Sequence, residues 1–489
     1  MKVILAVDLG TTGNRVIAFS KRGTPVASSY YEFPQLFPRP GWVEHDPAAI
    51  WSTTRQALKD VLAKVGEANV AAIGITNQRE TTILWDTETG RPVYNAIVWQ
   101  DRRTRPLCER LMPEAKLIRR KTGLFVDPYF SATKIRWILD RFPGIIKRID
   151  RGKIVFGTVD SWILWNLTGG KAHATEASNA ARTMVFNIHT LAYDPELLRL
   201  FGLPERLFPR VLDSAGDFGV TDKRLTGRAI PITGILGDQQ ASLFAQGGWQ
   251  KGVVKNTYGT GLFLMTALPR ALKDPGPLVN TVAWKIGNEV SYALEGSVFV
   301  GGSCIQWLRD GLKIIGASPE TDGLARSLAS NEGVYFVPAL TGLGAPYWDP
   351  GARGMIIGIT RGTRREHFAR AALEGIAYQV RDVVDAMNRV AGTKARRLRV
   401  DGGAAKNDFL MQFQADILPL SIERPRSVET TAFGAAGIAG LQAGFWTRDE
   451  FFAGRRIDRI FSPRMNAGTR ERYYARWQEA VRRSRNWEE

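Results

Sequence analysis

A single kind of turn, met twice, constrains this chain more than any other feature. Near the start, a short β-branched run from Val3 to Asp8 leads into Gly10-Thr11-Thr12-Gly13-Asn14, and a second run follows from Arg15 to Phe19. About 250 residues later the plan recurs: Gly252 to Asn256, then Thr257-Tyr-Gly-Thr-Gly261, then Leu262 to Met265. Each reads as a strand, a Gly/Thr turn and a returning strand. A repeat at that spacing predicts a duplicated domain. With 489 residues, too many for one ordinary core, the chain is expected to form two domains, 1–246 and 247–489, parted near Gln246-Gly247-Gly248.

Between the turns, helical and extended patterns alternate. Asp46 and Pro47 supply an N-cap and a first-turn proline, and Ile50, Ala57, Leu58, Val61 and Leu62 keep a helical period until Gly66. Val70 to Thr76 reads as a strand that delivers Asn77-Gln-Arg-Glu80 at its end. Thr363 and Glu366 have capping-box spacing before a long helix towards Gly392. Leu398 to Val400 reads as a strand into Asp401-Gly402-Gly403, with a helix from about Asn407. Alternation of this kind predicts α/β layers, and two such domains imply a cleft.

Composition excludes several classes. Cys108 and Cys304 are the only cysteines, too few for a disulfide framework, and the four histidines make no metal-ligand spacing with them. No run approaches the ~18 apolar residues of a membrane span, and Asp8 cuts the N-terminal apolar run short of a signal peptide, so a cytoplasmic protein is expected. The formal charge of +18 is spread along the chain rather than gathered in a block, which argues against nucleic acid and for a field that attracts anionic ligands. No Gly-x4-Gly-Lys-[Ser/Thr] loop occurs, and Asp217-Phe-Gly219 lacks the other protein-kinase elements.

Several residues could carry chemistry. Asp8-Leu-Gly-Thr-Thr-Gly13 puts an acid beside backbone N–H groups and hydroxyls suited to phosphate oxygens, with Arg15 as a fixed charge, although most such turns are only turns. Two facing turns could grip one triphosphate from both domains. Phosphoryl transfer needs a positioned hydroxyl, a proton acceptor and charge stabilisation with magnesium. Asp238, in Gly237-Asp-Gln-Gln240, stands at a strand-to-helix junction, where the plainer reading is an N-cap. Arg79-Glu80 could bind adjacent hydroxyls, or be a surface ion pair. Trp99 and Phe263 could wall a carbon chain, or be core.

Taken together, the motifs resemble the carbohydrate kinases named for their Phe-Gly-Gly-Tyr signature, within the actin, Hsp70 and hexokinase superfamily. Tyr129-Phe-Ser-Ala-Thr-Lys-Ile-Arg-Trp137 is similar to the first family signature, and Gly354 to Gly358 through Leu373-Glu-Gly375 to the second. Asn77-Gln-Arg-Glu-Thr-Thr82, Val98-Trp-Gln-Asp-Arg-Arg103, Gly237-Asp-Gln-Gln240, Asn256 to Gly261 and Gly342 to Asp349 resemble its glycerol-phosphorylating branch. The resemblance implies two ribonuclease H-like, actin-like ATPase domains around a ligand cleft, and transfer of the γ-phosphate of MgATP to a terminal hydroxyl of glycerol. It implies Arg79, Glu80, Tyr129, Asp238 and Gln239 on the glycerol hydroxyls, Trp99 and Phe263 on its carbons, and Asp238 as general base. Thr11, Thr12, Gly13 and Arg15 would meet the phosphates, Asp8 the magnesium, and Thr260, Gly302, Gln306, Gly403 and Asn407 the rest of ATP.

A homo-oligomer, dimer or tetramer, is the family habit. Xylulose or gluconate as acceptor, or an actin-like nucleotide switch, are the competing readings. One departure stands out. Where many members have Thr-Thr-Ser-Ser in the first turn, this chain has Thr11-Thr12-Gly13-Asn14, losing a hydroxyl at position 13. The Asp222 to Arg228 stretch has no histidine, so control by phosphorylation there is not implied.

Overall fold

The computed structural model describes residues 1–427 and 429–488. Each half of the chain builds its own sheet. In the first, Val3–Leu9 pairs antiparallel with Gly13–Ser20, placing Asp8 opposite Arg15, and Pro25–Glu32 extends that ribbon. Val70–Asn77 and then Ile232–Gly237 add in parallel on the other side of Val3–Leu9. In the second, Val253–Tyr258, Leu262–Leu268 and Glu289–Val298 form the antiparallel ribbon, and Arg397–Asp401 and Ser421–Pro425 add in parallel. Numbered within its own half, each five-strand unit has the order 3-2-1-4-5, and the second carries one extra strand at each edge, Val279–Ile286 and Ile457–Phe461. That shared order is the ribonuclease H-like arrangement, and the two Gly/Thr turns occupy equivalent places in it.

The central strand explains why helices must cover both faces. Val3–Leu9 is apolar at nearly every position, so both sides of its pleat need burying. Val3, Leu5 and Val7 pack with Ile50, Ala57, Leu58 and Val61 of the helix Pro47–Val65. Asp46 caps that helix by accepting from the Ala48 N–H at 2.8 Å. Ile4 and Ala6, on the other face, pack with Ala432, Ala435 and Ile438.

These last three belong to the helix Thr430–Gln442, which comes from the far half of the sequence yet covers the first sheet. Its small residues permit backbone contact. A Cβ on Gly434 would lie 1.9 Å from the Ala241 carbonyl oxygen, and one on Gly74 would lie 2.0 Å from that of Ala435. The first sheet's last strand ends at Gly237 and the second sheet's first strand begins at Val253, while a helix from the far end of the chain packs on the first sheet.

Other elements begin close to their predicted positions. The long helix spans Arg365–Ala391, but its cap is Arg364, whose N–H donates to His367 Nδ1 at 3.0 Å. Thr363 instead accepts from the Thr360 N–H at 2.9 Å, so the capping-box expectation is displaced by one residue. Asn407 caps Asp408–Ile417 by accepting from the Leu410 N–H at 2.9 Å.

Because the space at Gly434 is closed by backbone, Gly434→Ala is expected to destabilise the protein by about 3 kcal/mol, the upper end for overpacking. Gly323→Ala, in the short helix Glu320–Arg326 with nothing within 4 Å of the added carbon, is expected to be neutral or stabilising by about 0.5 kcal/mol. Thermal unfolding of the two variants checks both signs.

Candidate active site

The first turn is held from three directions. The Gly10 N–H donates to the Gly13 carbonyl at 3.1 Å and closes it. Gln35 Nε2 donates to the Thr11 carbonyl at 2.9 Å, and Trp99 Nε1 donates to Thr11 Oγ1 at 3.0 Å, which leaves the Thr11 hydroxyl proton free to donate. Asn14 is buried and its Nδ2 donates to Ile50 O, Thr53 Oγ1 and Thr54 Oγ1 at 2.8 to 3.0 Å, so that side chain anchors the turn to the helix behind it.

Gly13 is more than a lost hydroxyl. A Cβ there would lie 2.7 Å from the Tyr30 hydroxyl and 2.6 Å from the Tyr31 carbonyl oxygen. Tyr30 therefore occupies the space that a side chain at position 13 would need, with its hydroxyl 3.5 Å from Thr12 Oγ1. Arg15 lies 4.9 Å from the centre of the Tyr30 ring and pairs with Glu429 of the far half.

Asp8 is the last residue but one of its strand and, among the described residues, its carboxylate receives no protein hydrogen bond. Burial above all, with the Glu429 charge adding and Arg15 opposing, pushes its carboxyl up to about 7. No group of three or more His, Cys, Asp or Glu among the described residues could hold a metal. A lone acid of this kind fits Mg²⁺, which keeps several waters and takes one or two carboxylates plus phosphate oxygens.

The strand Val70–Asn77 delivers the second cluster. Arg79 Nη1 donates to Glu295 Oε2 at 2.6 Å and Nη2 to Oε1 at 3.1 Å, and Nε lies 3.2 Å from Asp238 Oδ1. Glu80 pairs mainly with Arg182, whose Nε is 2.5 Å from Glu80 Oε1 and whose Nη2 is 3.0 Å from Glu295 Oε1. Arg79 and Glu80 are neighbours in sequence but 3.7 Å apart at their charges, and both side chains are 1% exposed. The surface-pair reading is thereby overturned. Burial drives the Glu80 carboxyl up despite Arg182 and Arg79; at Glu295 the same two guanidiniums outweigh burial and hold the carboxyl down at about 2. Glu80 adopts φ +62°, a backbone conformation costing about 1–3 kcal/mol that surrounding contacts must enforce.

Asp238 opens the helix Asp238–Ala245 as its first residue, and Gly237 is the cap. The Gln239 N–H donates to Asp238 Oδ1 at 2.7 Å, whereas Oδ2 has only the 3.4 Å contact from Gln239 Nε2. Lys255 Nζ reaches Gln239 Oε1 and donates to Thr257 Oγ1 at 2.7 Å. Trp99 stands edge-on to Tyr129 at 5.6 Å between ring centres and to Phe263 at 6.2 Å. Phe263 lies on the second sheet, so this aromatic wall spans the cleft.

A cavity of about 630 Å³ in the second half brings together Thr260, Gly302, Gln306, Gly403 and Asn407. Gly402, at φ +86° and with the Tyr258 carbonyl 2.5 Å from any added Cβ, must be glycine, while Gly403 faces open space. The helix Gly302–Asp310 opens here, but the amides of Gly301, Gly302 and Ser303 already donate to Thr260 and Gly259 carbonyls at 2.8 to 3.2 Å. Asn407 is committed too, as cap and as donor to Thr321 Oγ1 at 3.1 Å. Their contribution to the cavity is shape more than unpaired donors.

The reading of the sequence missed Arg182, Glu295, Gln240 and Lys255. Gln240 Oε1 accepts from Arg79 at 3.2 Å, and its Nε2 donates to the Val282 carbonyl at 3.1 Å. Arg182 and Glu295 sit in stretches with no motif of their own; only the pairing of distant segments brings them to Arg79. Asp101 and Arg103, inside the Val98–Arg103 motif, are structural: Arg103 joins Asp101 to Glu44 at 2.8 and 2.7 Å with all three buried.

Models of the N-terminal and C-terminal domains of the FGGY family of carbohydrate kinases match residues 3–245 and 254–443. The chain is 56% identical over 489 residues to the glycerol kinase of Aquifex aeolicus, covering 100% of this chain and 99% of that one. The crystal structure of Plasmodium falciparum glycerol kinase with ADP superposes with a TM-score of 0.93 at 36% identity, covering 99% and 98% of the two chains. Gluconate kinase from Lactobacillus acidophilus, at 22% identity and a TM-score of 0.88 over 99% and 97%, shares the fold. By sequence along both halves and by fold, the chain belongs to the FGGY family of carbohydrate kinases.

Proposed function

We propose that the protein transfers the γ-phosphate of MgATP to a terminal hydroxyl of glycerol, giving sn-glycerol 3-phosphate and ADP. The observation that carries this reading is a buried Arg79–Glu80–Arg182–Glu295 cluster beside Asp238, one tryptophan away from the Thr11 turn. Arg79 and Glu80 supply a donor and an acceptor for adjacent hydroxyls, and Tyr129 and Gln239 complete the polar set. Trp99 and Phe263 offer apolar edges to a three-carbon chain. The full-length similarity to glycerol kinases supports the same acceptor.

Asp238 acts as general base in this reading. Its Oδ1 is held by the Gln239 amide and Arg79, which leaves Oδ2 to accept the hydroxyl proton as the oxygen attacks in line. The Thr11–Gly13 turn, with Thr12 and Arg15, receives the phosphates from one side, and the Thr260 turn, with Gly302, Gln306, Gly403 and Asn407, holds the remainder of ATP from the other. Asp8 would hold magnesium, which when bound neutralises charge on the transferring phosphoryl group. The units 1–246 and 247–489 are the bodies that close on the substrates and exclude water. Residence in the cytoplasm and assembly as a dimer or tetramer complete the reading; no helix among the described residues is long and apolar enough to cross a membrane.

ADP release with MgATP and a panel of glycerol, dihydroxyacetone, xylulose, gluconate and no acceptor tests the reaction. Strong dependence on glycerol is expected; preference for a ketose or an acid moves the acceptor within the family, and acceptor-independent hydrolysis refutes the kinase reading. Asp238→Asn is expected to lower kcat by about 10²–10⁴ with nucleotide affinity little changed. A near-normal rate would remove Asp238 from the base role. Arg79→Ala is expected to raise the KM for glycerol far more than that for ATP, and, by leaving Glu295 with one partner, to cost about 3–5 kcal/mol of stability. Gly13→Ser, the change towards the commoner family turn, is expected to destabilise by about 1–3 kcal/mol because Tyr30 fills that space.

A further inference from the structure

A second cavity, of about 460 Å³, lies between the two halves, and none of the residues assigned to the reaction lines it. Phe19 and the Gly23–Pro25 turn of the first sheet form one wall. Pro425–Ser427, Glu429, Phe433 and Gly454–Arg456 form the other. Phe19 and Phe433 meet at 5.4 Å between ring centres and give it an apolar floor.

Its charge is unbalanced. Arg426, Arg455 and Arg456 face a single carboxylate, Glu429, and that one is paired with Arg15. Arg426 and Arg456 are exposed and, among the described residues, have no carboxylate within 4.0 Å. Behind them Glu423 alone serves three guanidiniums, those of Arg397, Arg399 and Arg455, at 2.9 to 3.0 Å. The Arg455 side chain is 5% exposed; it uses Nη1 on Glu423 and Nε on Gln246, while its buried Nη2 has no partner. Burial and the neighbouring Arg399 depress Arg455 to about 10, which reports the same crowding of positive charge. Three arginines beside two aromatic rings, of which, among the described residues, Arg455 alone has a carboxylate partner, Glu423, in a space of small-molecule size, match a compact dianion joined to a less polar body.

We propose that this cavity binds a phosphorylated small molecule, its phosphate on the Arg426, Arg455 and Arg456 side and its organic part against Phe19 and Phe433. Such a ligand touches both halves at once, so it favours whichever separation of the halves brings the two walls to it. It also lies beside Glu429, the partner of Arg15.

The test is calorimetric titration of the full chain with its proposed active site filled by glycerol and a non-hydrolysable ATP analogue. The probes are inorganic phosphate, glycerol 3-phosphate and phenyl phosphate, which separate the free anion, the proposed product and an aromatic ester as sources of the phosphate. At least one organic phosphate is expected to bind more tightly than inorganic phosphate, and Arg426→Ala/Arg456→Ala to weaken it at least tenfold. Both positions are on the surface, so folding and kcat are expected to stay within about twofold of the parent. No heat from any probe up to about 10 mM, or equal affinity in parent and double variant, would overturn the proposal. Since binding is read without turnover, failure here leaves the glycerol phosphorylation reading standing, and failure of the acceptor panel leaves this one standing.

Discussion

Glu295 comes from the second sheet and is buried, fully out of solvent, between two guanidiniums of the first half, Arg79 and Arg182. The rest of the molecule is arranged around that contact. A buried ion pair is a poor source of net stability, because desolvation cancels most of the attraction, but removing one partner leaves a charge that nothing can solvate. Its value here is positional. It fixes Arg79 in the orientation that also meets Asp238 and Gln240, it sets Arg182 against Glu80, and it ties the two halves together at the aromatic end of the cleft. Separating the halves there would strand three buried charges.

The link at the other end has a different character. Arg15 and Glu429 also join the halves, but their side chains are 31% and 39% exposed. Water and salt screen such a pair, and it contributes little. The two links thus differ in kind, a buried pin and an exposed latch, and Glu429 is carried by the helix Thr430–Gln442, which itself packs on the first sheet. Phosphate oxygens arriving at the first turn would compete with Glu429 for Arg15, so the latch lies where nucleotide binding can act on it. The same glutamate adds to the burial that raises the Asp8 carboxyl to about 7, and a cation arriving there would favour its charged form.

What was legible in the sequence was local. The apolar runs beside Gly10 and Gly259, the Asp46–Pro47 start, the Asn407 cap and the strand leading to Asn77 all follow from period and cap chemistry acting over a few residues. Those signals placed the residues at strand ends and turns, where the proposed site lies. Long-range partners were not legible. Glu295 is 216 residues from Arg79 and 113 from Arg182, and nothing in a period of two or 3.6 says which buried acid meets which buried base. The helix Thr430–Gln442 falls inside the expected unit 247–489 for a related reason. Its glycines and alanines announce close packing, but only the topology shows that the surface it packs on is the first sheet.

Position 13 shows how a correct local reading can still be incomplete. Comparison with the family turn says that a hydroxyl is lost where serine becomes glycine. The neighbouring strand, paired residue by residue with Gly13–Ser20, brings the Tyr30 hydroxyl into that space and its ring beneath Arg15. In this chain the hydroxyl beside Thr12 is that of Tyr30, on the adjacent strand. It also adds an aromatic face that steadies the Arg15 guanidinium through cation–π attraction. Glycine at 13 and tyrosine at 30 thus fit one another in space, and they are neighbours only once the sheet has formed.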